Sequence, residues 1–251
     1  AELAQGNPPR LAFVCCYDPH TGQTWDGIAD LASGLLRNWR HVAGAQARIV
    51  SDEGVMGGEV AKADPRVIAA LALRGITDLT GVLIEAWSAG NFGIAEEQGE
   101  RIAYCHCFLR NTAGDNPYER PIANLHPVVD LRRRIVTRVD DFGVVPLPPD
   151  GKPLRQESLR TDLKPLQITQ PEGPSFTVEG NLVRWQKWQM RVGFHVRDGL
   201  ILHMIGYEDE GRLRPIIHRA SMAEMVVPYG DPRGGAYRRN AFDTGEYGVG
   251  Q

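Results

Sequence analysis

Apolar and polar positions divide the chain into a first part patterned for a helix and strands, and a second part patterned only for strands. The clearest helix is predicted over residues 63–75, because Asp64 suits the N-cap, Pro65 suits the first helical position and Gly75 suits the position past the end. Four strand-like runs follow it, at 81–87, 100–109, 122–130 and 135–139. A helix followed by four strands is typical of a small α+β unit.

The residues before this helix give a weaker pattern. Leu11–Tyr17 is predicted to be a strand that ends at the turn cluster 18–22. Apolar positions within residues 24–42 have helical spacing, but Ser33 and Gly34 lie in the middle and would weaken a helix. The residues alone therefore leave open one helix or two strands.

Beyond the proline-rich stretch 146–153, which is predicted to be a linker, the apolar pattern has a period of two. Residues 188–197 alternate, and Asp198-Gly199 predicts a hairpin turn into a strand over 200–207. After a second turn, an apolar run covers 213–227. We expect these to be the opening strands of a large antiparallel β-sandwich, with an apolar face left uncovered because no sequence remains for a second sheet.

Composition narrows the class of protein. The chain has 251 residues, 42% hydrophobic and 24% charged, which is ordinary for a globular protein. A net charge of -3 gives no support for a nucleic-acid or membrane-surface partner. The sequence shows neither a run of transmembrane length nor a basic-then-apolar signal segment, so a cytoplasmic location is expected.

Cys105-His106-Cys107 raises the question of a metal site. The surrounding run 102–109 is apolar and aromatic, which predicts a buried strand. Alternation along a strand would place both thiols on one face and His106 on the other, so the three could not converge on one ion. Four cysteines in a chain of this length also do not suggest a disulfide scaffold.

Candidate chemistry lies near the C-terminus, at Asp243. This aspartate stands between Phe242 and Thr244-Gly245, where loss of solvent would raise the pKa of its carboxyl and make it a proton acceptor. The alternative is a turn aspartate that bonds its own backbone. Asp-Thr-Gly is also the aspartic-protease signature, but that chemistry needs two carboxylates and the sequence has no second copy, so this reading is disfavoured.

Several blocks in this second part, taken together, resemble the copper- and topaquinone-dependent primary amine oxidases. The resemblance is strong over 161–251 and moderate over 64–146. Its motifs are the run 168–178, Trp185-Gln-Lys-Trp188, Val192-Gly-Phe194, Arg197-Asp-Gly199, Arg214-Pro215, the run 225–232 and the run 240–247. The resemblance favours two strands within 24–42, joined through residues 32–34.

The family resemblance implies roles for six residues. Asp243 would take a proton from the α-carbon of the bound amine, and Tyr229 would donate a hydrogen bond to the quinone oxygen. Trp87 and Tyr118 fall where the family lines its amine channel, with ordinary packing as the alternative for both. Ala241 stands where several members carry an aromatic gate, and Phe242 lies beside it in the channel.

The resemblance also implies what other polypeptide must supply. The Asn-Tyr-Asp/Glu motif that forms topaquinone and the His-x-His copper ligands do not occur in the sequence, so copper and topaquinone are both expected from a C-terminal remainder, possibly a separate chain. The implied partners are that remainder, a second copy in a homodimer, a primary amine and O2. A non-catalytic scaffold or binding module is the alternative.

The predicted fold class is α+β, with cystatin-like N-terminal units followed by the first strands of the sandwich. The predicted segments are an incomplete first unit at 1–62, a second unit at 63–146, a linker at 147–165 and the start of the catalytic domain at 166–251.

Overall fold

A computed structural model describes residues 9–112, 114–149, 161–196, 198–222, 225 and 227–241. The chain forms two compact units. The first contains Ala1–Gly151 and Tyr229–Arg239, and the second contains Lys152–Pro228 and Asn240–Gln251. Neither described helix has the length and apolar character needed to cross a membrane.

The first unit begins with a three-stranded antiparallel meander. Its strands are β1 (Leu11–Asp18), β2 (Gln23–Asp30) and β3 (Leu35–His41), in the order β1-β2-β3. The expectation of two strands within residues 24–42 is confirmed. Trp25 on β2 and Trp39 on β3 stack across the strand pair, with ring centroids 6.1 Å apart. The two rings therefore share one face of a sheet rather than one face of a helix.

Two helices follow, α1 (Ser51–Ala63) and α2 (Pro65–Leu73). Helix α2 confirms the predicted caps, since the Asp64 side chain accepts a hydrogen bond from the Arg66 backbone N–H at 2.8 Å. Helix α1 was not predicted, because its three glycines lower its intrinsic helix propensity. Packing requires one of them: a Cβ on Gly58 would lie 2.1 Å from the carbonyl oxygen of Ile84. The glycine lets α1 lie directly against the sheet.

That sheet has four antiparallel strands, β4 (Val82–Ser88), β5 (Ile102–Leu109), β6 (Leu125–Asp130) and β7 (Ile135–Asp141), in the order β4-β5-β6-β7. The four predicted strands are confirmed. Helix α1 packs mainly against β4, although it lies almost wholly in the segment 1–62. The main hydrophobic core of the described residues lies between the helices and this sheet, and includes Leu71, Leu125 and Val129.

The second unit contains a five-stranded antiparallel meander in the order β12-β11-β10-β9-β8. Its strands are β8 (Phe176–Glu179), β9 (Leu182–Trp185), β10 (Trp188–His195), β11 (Gly199–Asp209) and β12 (Arg212–Ser221). The predicted hairpin is confirmed, since His195 pairs with Gly199 across the turn.

The last predicted strand is shorter than expected. Strand β12 ends at Ser221, which pairs with Ile201 of β11, rather than continuing to residue 227. Val227–Pro228 (β13) forms a separate two-stranded pair with Asn240–Ala241 (β14). The structure thus consists mostly of antiparallel sheets with two α-helices, while the cystatin-like comparison and the four-segment division stay predictions.

Candidate functional site

The four-stranded sheet has one face in the hydrophobic core and one face lined by polar and aromatic side chains. Cys105 and Cys107 point into the core, whereas Tyr104 and His106 lie on the opposite face, so the predicted alternation is confirmed. Burial raises the pKa of the Cys107 thiol to about 12 and that of Cys105 well above its usual value. Both thiols are therefore neutral groups of the core at physiological pH.

The segment Tyr229–Arg239, called the strap below, packs against this second face. Its 3₁₀ turn contains Gly234 and Gly235 in the left-handed region, at φ 55° and 73°. A Cβ on Gly235 would lie 2.3 Å from the Tyr104 hydroxyl oxygen. The Gly234 carbonyl oxygen lies 2.9 Å from Nε2 of His126 on β6. The strap therefore contacts the sheet at distances that only glycine permits.

Tyr229, the predicted quinone-contacting residue, belongs to a chain of contacts that crosses this face. The guanidinium of Arg239 lies 5.4 Å from the centre of the Tyr229 ring. Nη2 of Arg239 also donates to Nδ1 of His106, at 3.3 Å. His106 in turn meets the Trp87 ring edge to face, with centroids 4.7 Å apart.

The chain of contacts continues to the second predicted channel residue through a carboxylate. Glu85 accepts a hydrogen bond from Nε1 of Trp87 at 3.1 Å and from the hydroxyl of Tyr118 at 2.7 Å. Phe108 packs edge to face against Tyr118, at 5.1 Å between centroids. A carboxylate flanked by aromatic rings combines two features that attract an ammonium cation.

The imidazoles beneath the strap are held neutral. Burial, followed by the positive charge of Arg239 and by His126, lowers the pKa of His106 to about 2. Burial likewise lowers the pKa of His126. Since Nδ1 of neutral His106 accepts from Arg239, its proton lies on Nε2, which is buried without a hydrogen-bond partner among the described residues.

The structure thus links three of the six predicted site residues, Tyr229, Trp87 and Tyr118, in one network. Asp243 and Phe242 lie outside the described residues, and for Ala241 the structure describes only the pairing of its backbone with Val227.

Sequence reasoning missed the three residues that connect the network, Glu85, His106 and Arg239. The pairing of Glu85 on β4 with His106 on β5 is a matter of strand register, which only the structure shows.

The described residues do not bring together three or more His, Cys, Asp or Glu side chains that could hold a metal ion. The network described above is therefore built from aromatic rings, a carboxylate, an imidazole and guanidinium groups.

Comparison with known proteins gives the class of this chain. Residues 177–251 match the family described as copper amine oxidase, enzyme domain. This stretch includes both Tyr229 and Asp243. Over almost its whole length the chain is similar to copper amine oxidases.

Relatives in this family come from bacteria and plants. The chain is 43% identical over 245 residues to a primary amine oxidase of Arthrobacter sp. (strain P1), covering 96% of this chain and 38% of that protein. It is 40% identical to the histamine oxidase of Arthrobacter globiformis, covering 96% and 36%. A peroxisomal copper-containing diamine oxidase of Nicotiana tabacum is 38% identical, covering 97% and 34%. The chain therefore spans less than two-fifths of the length of these relatives.

A solved structure gives the same result for the fold. The copper-containing benzylamine oxidase from Hansenula polymorpha superposes with a TM-score of 0.71 and 24% identity, covering 98% of this chain and 40% of that one. At this identity the match concerns the fold alone.

Proposed function

We propose that this chain supplies the catalytic base and part of the substrate channel of a copper-dependent primary amine oxidase. The reaction converts a primary amine, O2 and water into an aldehyde, ammonia and hydrogen peroxide. The main support is the family match over 177–251, which contains the segments around Tyr229 and Asp243. The histamine oxidase and the diamine oxidase among the relatives are named for different amines, so the proposal stops at primary amines as a class.

Copper does not fit a site within the described residues, since these form no cluster of three ligands. We therefore assign copper and topaquinone to polypeptide beyond this chain, which agrees with its coverage of only 38% of its Arthrobacter relative. The quinone would supply the electron-accepting carbonyl group for the amine. We also propose a homodimer, on the family resemblance alone.

Asp243 would act in this chemistry as the proton acceptor. Its carboxylate must be ionised to take the α-proton of the bound amine, and shielding from water by Phe242 would strengthen it as a base. Tyr229 would act as a hydrogen-bond donor, because a neutral phenol can hold an anionic oxygen in place through its O–H group. The contact of Arg239 with the Tyr229 ring supports a fixed orientation for that donor.

Trp87 and Tyr118 would line the channel through which the amine enters. Their shared hydrogen-bond acceptor, Glu85, gives this wall a negative charge, and primary amines in water at neutral pH are cations. The three side chains together would raise the local concentration of substrate. On this proposal, Glu85→Gln raises KM more than it lowers kcat.

The proposal is tested on the full-length protein with Asp243→Asn. General-base catalysis contributes about 10²- to 10⁴-fold, so we expect peroxide release with a primary amine to fall by that factor while copper stays bound. Asp209→Asn is the control, because Asp209 lies outside the strap, in the same second unit as Asp243, and forms an exposed ion pair with Arg214. Normal turnover in Asp243→Asn would contradict the proposed role.

Cofactor content separates this proposal from a scaffold related to amine oxidases. The enzyme should contain stoichiometric copper and stain for a quinone, whereas a scaffold purified with all its partners should contain neither. Measuring both before the kinetic assay decides between the two functions.

A further inference from the structure

Arg238, next to the residue that contacts the Tyr229 ring, is almost completely buried. Its side chain is 1% exposed, and that of its partner Glu97 is 8% exposed. The guanidinium donates to both carboxylate oxygens, at 3.0 Å from Nη1 and 2.6 Å from Nη2. Nη2 also lies 3.3 Å from the carbonyl oxygen of Ala89. This bidentate geometry fixes the direction of the arginine as well as its distance.

Aromatic rings surround the same guanidinium. Its central carbon lies 4.4 Å from the centre of the Tyr104 ring and 5.6 Å from that of Phe92. Phe92 packs edge to face against Tyr237, the neighbouring strap residue, with centroids 5.4 Å apart. The ion pair is therefore held in an aromatic, largely water-free environment.

The charges of this cluster balance. Glu97 also accepts from Arg138, at 3.0 Å, and Arg138 pairs with Asp140. Two arginines thus face two carboxylates. Such a buried network adds little stability compared with apolar side chains of similar size, but it defines one arrangement and penalises the others.

The strap needs an external anchor of this kind. It is a short 3₁₀ turn interrupted by two glycines in the left-handed region, which gives it little intrinsic rigidity. The residue after Arg238 connects the anchor to the proposed site. Arg239 lies against the Tyr229 ring, and its carbonyl oxygen accepts from the Tyr229 backbone N–H at 3.2 Å.

We propose that Arg238, held by Glu97, is a positioning residue for Tyr229. The Arg238–Glu97 ion pair, called the clamp below, fixes the strap on the sheet. Arg239 can then pack against the Tyr229 ring, and the hydroxyl of Tyr229 keeps one direction. The part of this inference that concerns turnover rests on the proposed amine oxidase function.

The test uses Arg238→Lys in the full-length protein. Lysine keeps the charge but cannot form the fork of two hydrogen bonds. Arg101→Lys is the matched control: Arg101 is 3% exposed, is bound by both oxygens of Glu53 and lies 4.1 Å from the Tyr17 ring. Both variants should lower the unfolding midpoint similarly. Glu97→Gln, with Glu53→Gln as its control, repeats the test if Arg238→Lys does not fold.

The first readout is amide hydrogen exchange in residues 229–239. We expect exchange in the strap to rise about tenfold or more in Arg238→Lys, and to stay unchanged in Arg101→Lys, because local opening depends on local contacts. Unchanged exchange in Arg238→Lys would overturn the inference. This measurement does not depend on the enzymatic activity, so it decides on the clamp even if the proposed function fails.

The second readout is a cycle with Tyr229→Phe. Displacement of a catalytic group by a distant change costs up to about 100-fold, so kcat should fall by about 10- to 100-fold in Arg238→Lys, with KM little changed. If Arg238 acts through Tyr229, the double variant should have the kcat of Tyr229→Phe alone. Additive losses would show that Arg238 does not act through Tyr229.

Discussion

The four-stranded sheet of the first unit and the five-stranded sheet of the second unit differ in how far their apolar side chains are buried. In the four-stranded sheet of the first unit, Leu125, Val128 and Val129 are fully buried. In the five-stranded sheet of the second unit, Phe194 is 71% exposed and Leu200 is 57% exposed. Strand β10 thus forms with its alternating pattern while none of its side chains is fully buried. Forming a strand and burying its apolar face are separate events, and the second requires a covering layer.

The largest effect should come from truncating matched leucines in the two sheets. Leu125→Ala removes a fully buried side chain, so we expect the free energy of unfolding to fall by about 2–5 kcal/mol. Leu200→Ala removes an exposed one and should change it by less than about 0.5 kcal/mol. Urea unfolding of both variants of this chain measures the difference. Equal losses of stability in the two variants would mean that the five-stranded sheet is covered in solution, and would contradict the comparison.

A smaller effect on stability should come from substitutions in helix α1, which covers the four-stranded sheet. In Gly58→Ala the new methyl would clash with the Ile84 carbonyl, so α1 must move away from β4, at a cost of about 1–3 kcal/mol. Gly54→Ala is the control in the same helix, because its Cβ would lie at an ordinary 3.6 Å from the nearest atom, the Ala86 carbonyl oxygen. In Gly54→Ala the better helix propensity of alanine should raise the free energy of unfolding by about 0.5–1 kcal/mol. Thermal unfolding that ranks the two variants in the reverse order would contradict close packing of α1.

The smallest effect concerns the pH dependence of stability that the buried His106 of the first unit produces. The pKa of His106 is about 2 in the folded state against 6.5 for the free side chain, so below pH 6.5 the unfolded chain binds a proton that the folded one does not. Stability should fall as the pH decreases from 6.5 to 5, by at most about 1.4 kcal/mol per pH unit for this group. His106→Gln should reduce that slope, because it removes the buried imidazole. Urea unfolding at pH 7, 6 and 5 checks this. An unchanged slope in His106→Gln would contradict the burial of its neutral imidazole.

Sequence patterns predicted those parts of the fold that depend on neighbours along the chain. The caps of α2, the strands of the four-stranded sheet and the hairpin at Asp198-Gly199 each rest on a few consecutive residues. Helix α1 was missed for the converse reason. Its glycines disfavour a helix locally, and only the contact of Gly58 with Ile84 on β4 explains why a glycine is required at that position.

The candidate site shows the same limit. Resemblance selected Tyr229, Trp87 and Tyr118, but not the residues that join them. Glu85 on β4 and His106 on β5 are cross-strand partners. Arg239 donates to His106 although the two residues are 133 positions apart along the chain. No periodicity connects positions so distant.

By itself, the sequence showed a resemblance to one class of proteins through its motifs, and it determined most local structure. The local structure followed because capping, turns and alternation are short-range properties of the backbone. The sequence also separated the thiols of Cys105 and Cys107 from His106. Only the tertiary structure decided that the strap lies on the polar face of the four-stranded sheet. The strap is held there by the Arg238–Glu97 pair, whose members are 141 positions apart along the chain. The reason is physical: a buried ion pair has a definite partner only once folding has brought two distant segments together and removed the water between them.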